Sequence, residues 1–189
     1  MIIIHDINTP ISSIKLNLTL IDKKDDEIIA IEQSVNTLTM LHKNLDNYLN
    51  KTPLNMATYS INDILNEQID FFKSLYDYLD WKVEVSDELI ETDKYILGRI
   101  IYNLLNNSCK YNTSNGYIKV KYKNKILNIS NSSYGIKNPN KVFDRFYKES
   151  DRGLGIGLHI VSKLLNQLKY NYTMSVDKNN IVTMEITIK

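Results

Sequence analysis

The sequence predicts an α+β protein in which a helical hairpin, one half of a dimeric four-helix bundle, precedes an α/β sandwich with a mixed, mostly antiparallel sheet. Apolar residues recur every three or four positions through the first 50 residues, which is the period of packed helices. After the proline-containing segment 50–55, helical and strand-like patterns alternate. The 189-residue chain can form two small domains, which we place at residues 1–52 and 53–189.

The first predicted helix holds a histidine beside its apolar seam. His5 is expected to point outward, and Thr9 lies one turn later on the same face. The Asp6 carboxylate can accept the imidazole Nδ1–H, which leaves Nε2 as a nucleophile. Pro10 is expected to bend the helix next to the histidine. The pattern indicates one exposed, oriented imidazole, and an ordinary surface histidine on an amphipathic helix is the alternative interpretation.

A second predicted helix runs from about residue 28 to residue 50, after the charged turn 21–26. A single hairpin would leave the apolar seams of both helices uncovered. Two copies related by a two-fold axis would cover these seams in a four-helix bundle. We therefore predict a homodimer through residues 1–50.

In the second domain, apolar periodicity and turn residues predict helices and strands in alternation. Helices are expected over 61–79, 92–112 and 154–170, a strand over 81–85, two strands within 116–131 and a hairpin over 172–189. Thr92 is the predicted N-cap of the helix 92–112, and Asn179-Asn180 is the predicted hairpin turn. The helices are expected to cover one face of a single sheet.

Polar side chains form a stripe along the predicted helix 92–112. Asn103, Asn107 and Lys110 recur at helical spacing, with Tyr111 beside them. Carboxamide oxygens suit Mg²⁺, and an ammonium group neutralises phosphate. The stripe therefore fits a magnesium–triphosphate site, and a solvated polar helix face is the alternative interpretation.

Three of the chain's 6 glycines, Gly153, Gly155 and Gly157, fall within five positions at the start of a predicted helix. Such clustering lets backbone amides approach an anion at a helix N-terminus. The spacing matches neither the P-loop nor the dinucleotide-binding fingerprint.

Composition argues against several classes of protein. The 23 basic and 22 acidic residues nearly cancel, so we expect no nucleic-acid surface. The single cysteine, Cys109, excludes an internal disulfide framework and fits a reducing, cytoplasmic compartment. No apolar run is long enough to span a membrane, so we expect no membrane contact by this segment.

In combination, the motifs resemble those of the catalytic core of sensor histidine kinases of two-component systems. "HDINTP" resembles the H box, "NLLNNSCKY" (103–111) the N box, "VFDRFYK" (142–148) the F box and "GLGIGLHIV" (153–161) the second glycine box. Their order and spacing match the family nearly end to end. The resemblance implies a dimerising hairpin and a Bergerat-type ATP-binding domain, located in the cytoplasm or in the cytoplasmic part of a membrane-anchored receptor.

The resemblance also implies a mechanism. ATP with Mg²⁺ would bind between the helix 92–112 and the glycine segment, and His5 would attack the γ-phosphorus with Asp6 as base. The phosphoryl group would then pass to an aspartate on the receiver domain of a response regulator. Thr9 matches the position that orients water for dephosphorylation of the regulator, which implies a phosphatase activity.

The residues implied to bind the nucleotide come from every motif of the second domain. Asn107, with Asn103 in support, would hold Mg²⁺, while Phe143 and Phe146 would anchor the lid over the site by packing. The full nucleotide-binding set is Asn103, Asn107, Lys110, Tyr111, Asn131, Gly135, Arg145, Arg152, Gly153, Gly155, Gly157 and Leu158.

The first glycine loop, residues 131–135, departs from the family pattern. It reads "NSSYG" where the family usually has D-x-G-x-G. Asn131 would still accept from the adenine amino group but without a charge, and Ser133 is expected to crowd the loop. The lid segment "ESDR" at 149–152 is also short for the family.

Two other functions stay open. A non-catalytic phosphotransfer protein or regulatory pseudokinase would dimerise but bind ATP weakly or not at all. A stand-alone ATPase is disfavoured because Asn103 stands where related ATPases have a glutamate base. Only four residues precede His5, so we expect either a fragment of a longer receptor or a core that lacks its own sensor.

Overall fold

The computed structural model describes residues 53–149 and 155–189, together with Ile14, Ile28, Ile31 and Val35. The chain divides into two compact units, Met1–Pro53 and Leu54–Lys189. None of the helices in the described part of the chain is long and apolar enough to cross a membrane.

In the first unit, the four described residues are all helical. Val35 is buried, and Ile28 packs against it. Ile14 and Ile31, which belong to the predicted apolar seams, are 41% and 47% exposed. Two seam residues in this single chain therefore still present apolar surface to solvent.

The described part of the second unit contains seven strands and three α-helices. In chain order they are β1 (Ala57–Ser60), α1 (Ile61–Leu75), β2 (Asp80–Val85), β3 (Leu89–Thr92), α2 (Lys94–Lys110), β4 (Tyr117–Lys123), β5 (Ile126–Ser132), α3 (Gly157–Leu168), β6 (Asn171–Val176) and β7 (Ile181–Thr187). A 3₁₀ turn at Pro139–Lys141 lies between β5 and α3.

Five strands form the main sheet in the order β2-β4-β5-β7-β6, and β1 pairs with β3 in a separate two-stranded ribbon. β2 and β4 run parallel, whereas the other neighbours in the sheet run antiparallel. Parallel pairing needs a crossover, and the segment containing β3 and α2 supplies it. The architecture confirms the predicted α+β class with a mixed, mostly antiparallel sheet.

Alternate strand residues form one core with the three helices. It includes Ile118, Val120 and Tyr122 of β4, Leu127 and Ile129 of β5, Met184 and Ile186 of β7, Ile64 and Leu65 of α1, Leu97 and Ile101 of α2, and Val161 and Leu165 of α3. Burying each large apolar side chain contributes about 1.5–3 kcal/mol. Lys119, Ser130 and Thr183 lie opposite one another at the intervening positions, on the polar face of the sheet.

Helix α1 ends at Leu75, before the predicted residue 79. The carbonyl oxygen of Tyr76 accepts hydrogen bonds from Leu79 N at 3.2 Å and from Trp81 Nε1 at 3.1 Å. Because both bonds belong to the turn that leads into β2, the chain leaves the helix although its apolar spacing continues.

The N-cap of α2 is Asp93 rather than the predicted Thr92. Asp93 Oδ1 accepts from Ile96 N at 3.0 Å, and Oδ2 accepts from Asn55 N at 2.9 Å. Thr92 instead ends β3, where it pairs with Ala57. The β1–β3 ribbon is a finding of the structure, because two strands of four residues carry little periodic signal.

Candidate functional site

The polar stripe of α2 lies against the first turn of α3. A Cβ atom built on Gly157 would lie 3.6 Å from Asn107 Nδ2 and 3.7 Å from Asn103 Oδ1. These are ordinary van der Waals contacts, so a side chain longer than alanine at 157 would press on both carboxamides. The fold thus brings together two motifs that are far apart in the sequence.

Burial and one hydrogen bond orient the Asn103 side chain in this contact. Its side chain is buried, and Nδ2 donates to the carbonyl oxygen of Arg99 at 2.7 Å. Asn107 lies one turn later and is half-buried. Because the nitrogen of Asn103 is already bonded, its oxygen remains as the group near Gly157 that can bind a cation or a water molecule.

Lys110 extends the stripe at the last turn of α2. Its Nζ lies 5.2 Å from the ring centroid of Tyr111, the residue that ends the helix. A lysine here interacts favourably with the negative end of the helix dipole and also places a positive charge beyond the two carboxamides. The helix therefore presents two amide oxygens and one ammonium group in sequence, a set that suits a hydrated cation and phosphates.

The first glycine loop begins at the buried end of β5. Asn131 is 6% exposed, and its Nδ2 donates to the carbonyl oxygen of Ser132 at 2.7 Å, which leaves Oδ1 as the acceptor of this side chain. Gly135 has a φ of +92°, a backbone conformation that favours glycine.

Ser133 is hydrogen-bonded both within this loop and to a neighbouring turn. Its Oγ donates to the carbonyl oxygen of Asn180 at 2.7 Å and accepts from Gly135 N at 3.0 Å. The hydroxyl ties the loop to the turn between β6 and β7, and the crowding of the loop by Ser133 stays a prediction.

The F-box segment, residues 142–148, is anchored by one of its two phenylalanines. Phe143 packs against the core, with its ring centroid 5.3 Å from that of Tyr172, and its carbonyl oxygen lies 3.1 Å from His159 Nδ1 on α3. Phe146, expected to pack in the same way, is 59% exposed. Its φ of +65° lies in a turn that directs the ring to the surface, where Arg145 Cζ is 4.7 Å from the ring centroid.

The second glycine segment, residues 153–158, meets the F-box segment at Gly155. Phe146 N donates to the Gly155 carbonyl oxygen at 2.9 Å. A Cβ atom built on Gly155 would lie 2.5 Å from the carbonyl oxygen of Tyr147, and its φ is +66°. Both the backbone angle and the close approach therefore require glycine at this position. Leu158 packs against the core from the first turn of α3.

Glu149 closes the F-box segment with three hydrogen bonds. Its carboxylate accepts from Tyr147 Oη at 2.6 Å and from the backbone nitrogens of Lys137 and Asn138, each at 2.8 Å. Burial alone would raise the pKa of this carboxyl group, but the hydrogen bonds outweigh it and hold the pKa below its usual value. The ionised form of Glu149 therefore stabilises the loop that precedes the second glycine segment.

Several predicted residues lie outside the described part of the chain, namely His5, Asp6, Thr9, Arg152 and Gly153, and their roles stay predictions. Sequence reasoning missed the groups that hold the loops, which are Ser133 with Asn180, Glu149, and His159. His159 directly follows the second glycine segment, so its position next to a motif was a usable signal. The Ser133–Asn180 contact had none, because it depends on which strands pair.

Comparison with known proteins gives one family and a consistent set of relatives. Residues 92–189 match the family described as histidine kinase-, DNA gyrase B-, and HSP90-like ATPase. The chain is 25% identical over 212 residues to the signal transduction histidine-protein kinase ArlS of Staphylococcus haemolyticus, covering 98% of this chain and 47% of the relative. It is 26% identical over 196 residues to the sensor histidine kinase CssS of Bacillus subtilis, covering 94% and 43%. The chain thus spans less than half the length of these two relatives.

Solved structures support the fold. The Acinetobacter baumannii histidine kinase AdeS matches with a TM-score of 0.66 and 20% identity, covering 98% of this chain and 97% of that one. The mycobacterial sensor histidine kinase MprB matches with a TM-score of 0.64 and 20% identity, covering 70% of this chain and 97% of that one. These likenesses show that the chain shares its fold with these two structures.

Proposed function

The chain belongs to the histidine kinase-, DNA gyrase B- and HSP90-like ATPase family, and on that premise we propose that it is the catalytic core of a two-component histidine kinase. In this proposal ATP phosphorylates His5, and the phosphoryl group then passes to an aspartate on a response-regulator receiver domain. The family match of residues 92–189 implies ATP binding, and the relatives ArlS and CssS are named as histidine kinases.

One observation carries the proposal, which is the contact between the carboxamides of α2 and the glycine start of α3. Gly157 lies beside Asn103 and Asn107, so the N-terminus of a 12-residue helix opens next to two amide oxygens. Free backbone N–H groups and the positive end of the helix dipole favour phosphate at this point. The amide oxygens on the facing helix α2 would bind a cation, and this cation would in turn bind the phosphates.

Different residues of the second unit would bind different parts of the nucleotide. Asn107, with Asn103 in support, would hold Mg²⁺, which when bound neutralises phosphate charge. Lys110 would contact a phosphate directly, and Asn131 Oδ1 would accept from the adenine amino group. Tyr111 and Arg145 would lie along the bound nucleotide, and Arg152 and the glycines would close over its phosphates.

Asn103 also favours transfer over hydrolysis. An uncharged carboxamide is not a base, and its nitrogen is already bonded to the Arg99 carbonyl oxygen at 2.7 Å. Water near the γ-phosphate would therefore lack a general base at this position. An imidazole with Asp6 as its base would be the better acceptor.

The first unit would supply that imidazole from a dimer. We include in the proposal a homodimer through residues 1–50, which would cover apolar seam residues such as Ile14 and Ile31 that are exposed in the single chain. Thr9 would orient water for dephosphorylation of the regulator, and the chain would act in the cytoplasm.

Labelling with γ-³²P-ATP and Mg²⁺ tests this function. We expect the wild type to acquire acid-labile, base-stable label, and His5→Ala and Asn107→Ala to abolish it. Asn106→Ala is the matched control, because it removes a neighbouring carboxamide of α2 that the site does not use. Full labelling of the His5→Ala variant would contradict the assignment of the phosphoacceptor.

A regulatory pseudokinase is the second candidate, and the altered first glycine loop favours it. Asn131 lacks the charge of the family's aspartate, so this candidate function predicts a low nucleotide affinity. Nucleotide binding raises the melting temperature by mass action, so an unchanged melting temperature at millimolar MgATP would favour the pseudokinase. Rapid phosphate release without protein label would instead indicate a stand-alone ATPase.

A further inference from the structure

The first glycine loop is fastened by a side chain that the family pattern does not contain. The Ser133 hydroxyl donates to the Asn180 carbonyl oxygen at 2.7 Å and accepts from Gly135 N at 3.0 Å. We call these two hydrogen bonds the Ser133 clamp. A glycine at 133 could make neither bond, so the clamp is a property of this sequence.

Strand register explains why the clamp forms. β5 and β7 pair antiparallel up to Ser132 opposite Ile181, so Ser133 and Asn180 are the next opposed pair beyond the ladder. The serine hydroxyl makes its bond where the backbone ladder has ended. The clamp therefore extends the sheet contact into the loop.

The other side of the clamp is a rigid turn. Asp177 Oδ1 accepts from Asn179 N and Ile181 N, both at 2.8 Å, and Asn180 has a φ of +59°. A turn closed by its own aspartate presents the Asn180 carbonyl oxygen in a defined direction. The Ser133 clamp thus ties the loop to a fixed point.

The Ser133 clamp affects the orientation of Asn131, the residue proposed to recognise adenine. The Asn131 carboxamide is oriented by donation to the Ser132 carbonyl oxygen at 2.7 Å, so its direction depends on the backbone immediately before Ser133. A Cβ atom built on Gly135 would lie 3.1 Å from Asn180 Oδ1, which places the far end of the loop against the same turn. Both ends of the loop are therefore set by contact with this hairpin.

We infer that Ser133 is a positioning residue for the nucleotide base, an inference that rests on the proposed ATP binding. Its hydroxyl holds the loop in the binding conformation before the nucleotide arrives and keeps Asn131 Oδ1 aimed at the adenine amino group. Pre-organisation lowers the entropy lost on binding. This gain compensates in part for the attraction that is missing because residue 131 is not a carboxylate.

The test measures MgATP and MgGTP affinity by calorimetry in the full chain, for wild type, Ser133→Ala and Ser133→Thr. Ser133→Ala should weaken MgATP binding about 3- to 10-fold, the effect of one or two net hydrogen bonds. It should also reduce the preference for ATP over GTP, because guanine carries an acceptor where adenine carries its amino group. Ser133→Thr retains the hydroxyl and should restore both values.

Two matched controls separate positioning from stability. Ser130→Ala removes a hydroxyl that accepts from Thr183 Oγ1 at 2.9 Å on the same strands but outside the loop, so it should leave both affinities unchanged. Asn179→Ala keeps the backbone nitrogen that donates to Asp177 Oδ1 in the same turn, so it should also bind like the wild type. Melting temperatures report any general loss of stability.

The outcomes distinguish the two proposals. A wild type that binds neither nucleotide overturns the proposed ATP binding and with it the role of Ser133. A wild type that binds MgATP while Ser133→Ala matches it in affinity and base preference overturns the inference alone. Equal losses in Ser133→Ala and Ser130→Ala would also overturn it, because they would indicate a purely structural effect.

Discussion

The first glycine loop and the second glycine segment are held in place by different physical means. In the second glycine segment, Gly155 meets the Tyr147 carbonyl oxygen so closely that a Cβ atom would lie 2.5 Å away. In the first glycine loop, Ser133 replaces a glycine and makes two hydrogen bonds. A loop position that a family fills with glycine can therefore reflect steric exclusion in one place and a replaceable backbone preference in another.

Gly155→Ala should break the steric side of this comparison. The added methyl group would clash with backbone atoms and place alanine at a φ of +66°, so we expect a loss of about 2–4 kcal/mol in the free energy of unfolding. Urea denaturation followed by circular dichroism measures it.

Gly98→Ala is the matched control for that variant. Apart from its chain neighbours and the nearby backbone of its own helix, no described heavy atom lies within 4 Å of a Cβ atom built on Gly98, inside α2. Alanine there should stabilise the protein by about 0.5–1 kcal/mol through helix propensity. Equal effects of the two substitutions would contradict the steric explanation.

Asn131→Asp tests whether the first glycine loop still tolerates the family's residue. An aspartate in the same rotamer would place a carboxylate oxygen about 2.7 Å from the Ser132 carbonyl oxygen in place of a donor. We expect a loss of about 1–3 kcal/mol at pH 7, because the half-buried Ser132 carbonyl oxygen would lose its donor and face a carboxylate. Denaturation at several pH values measures this difference from the wild type.

The carboxylate introduced by Asn131→Asp would repel the Ser132 carbonyl oxygen, and this repulsion sets the direction of the pH dependence. Repulsion raises the folded-state pKa of the new carboxyl group, so its destabilising effect should fade as the pH falls toward the ordinary aspartate value of about 3.9. Asn128→Asp, on the polar face of the same strand, is the control and should have a small effect. A variant as stable as the wild type at pH 7 would show that the loop accepts an aspartate by rearranging.

Of these substitutions, Glu149→Gln should have the smallest effect on stability. It tests the F-box segment, which contacts the second glycine segment at Gly155. The carboxylate accepts from Tyr147 Oη and two backbone nitrogens, but it is exposed, so we expect a loss below about 1 kcal/mol. Its folded-state pKa is lowered, so its contribution is present above the unfolded-state pKa and is lost as the pH falls through the folded-state value.

Stability measured from pH 7 down to pH 3 checks this expectation. The difference between wild type and Glu149→Gln should shrink in acid, whereas Glu185→Gln, on the polar face of β7, should change stability little. A difference that stays constant over this range would mean that the charge of Glu149 does not stabilise the F-box segment.

Local sequence patterns predicted most helices and strands of the second unit, but they did not predict every helix end and cap. Apolar spacing predicted the three helices, and the strand patterns predicted β2 and the two hairpins. The end of α1 was mispredicted because the Tyr76 carbonyl oxygen is used by the following turn, and the cap of α2 because β3 takes up Thr92. Both errors arise where tertiary pairing overrides a local preference.

The candidate site divides in the same way. Helical spacing was enough to place Asn103, Asn107 and Lys110 on one stripe, and the motif order suggested the approach of Gly157. The Ser133 clamp could not be predicted, since it requires the register between β5 and β7. Contacts made across strands are therefore where a structure adds most to this sequence.

Asp93 links two stretches of the second unit that are far apart in the sequence. The Asp93 carboxylate accepts from two amides, with one oxygen from Asn55 N, 38 positions earlier in the chain, and with the other from Ile96 N. The start of the second unit and the first turn of the helix bearing the carboxamides are thus fastened to a single side chain. Displacing either stretch must break a bond or drag the other along, so thermal motion of the two should be correlated.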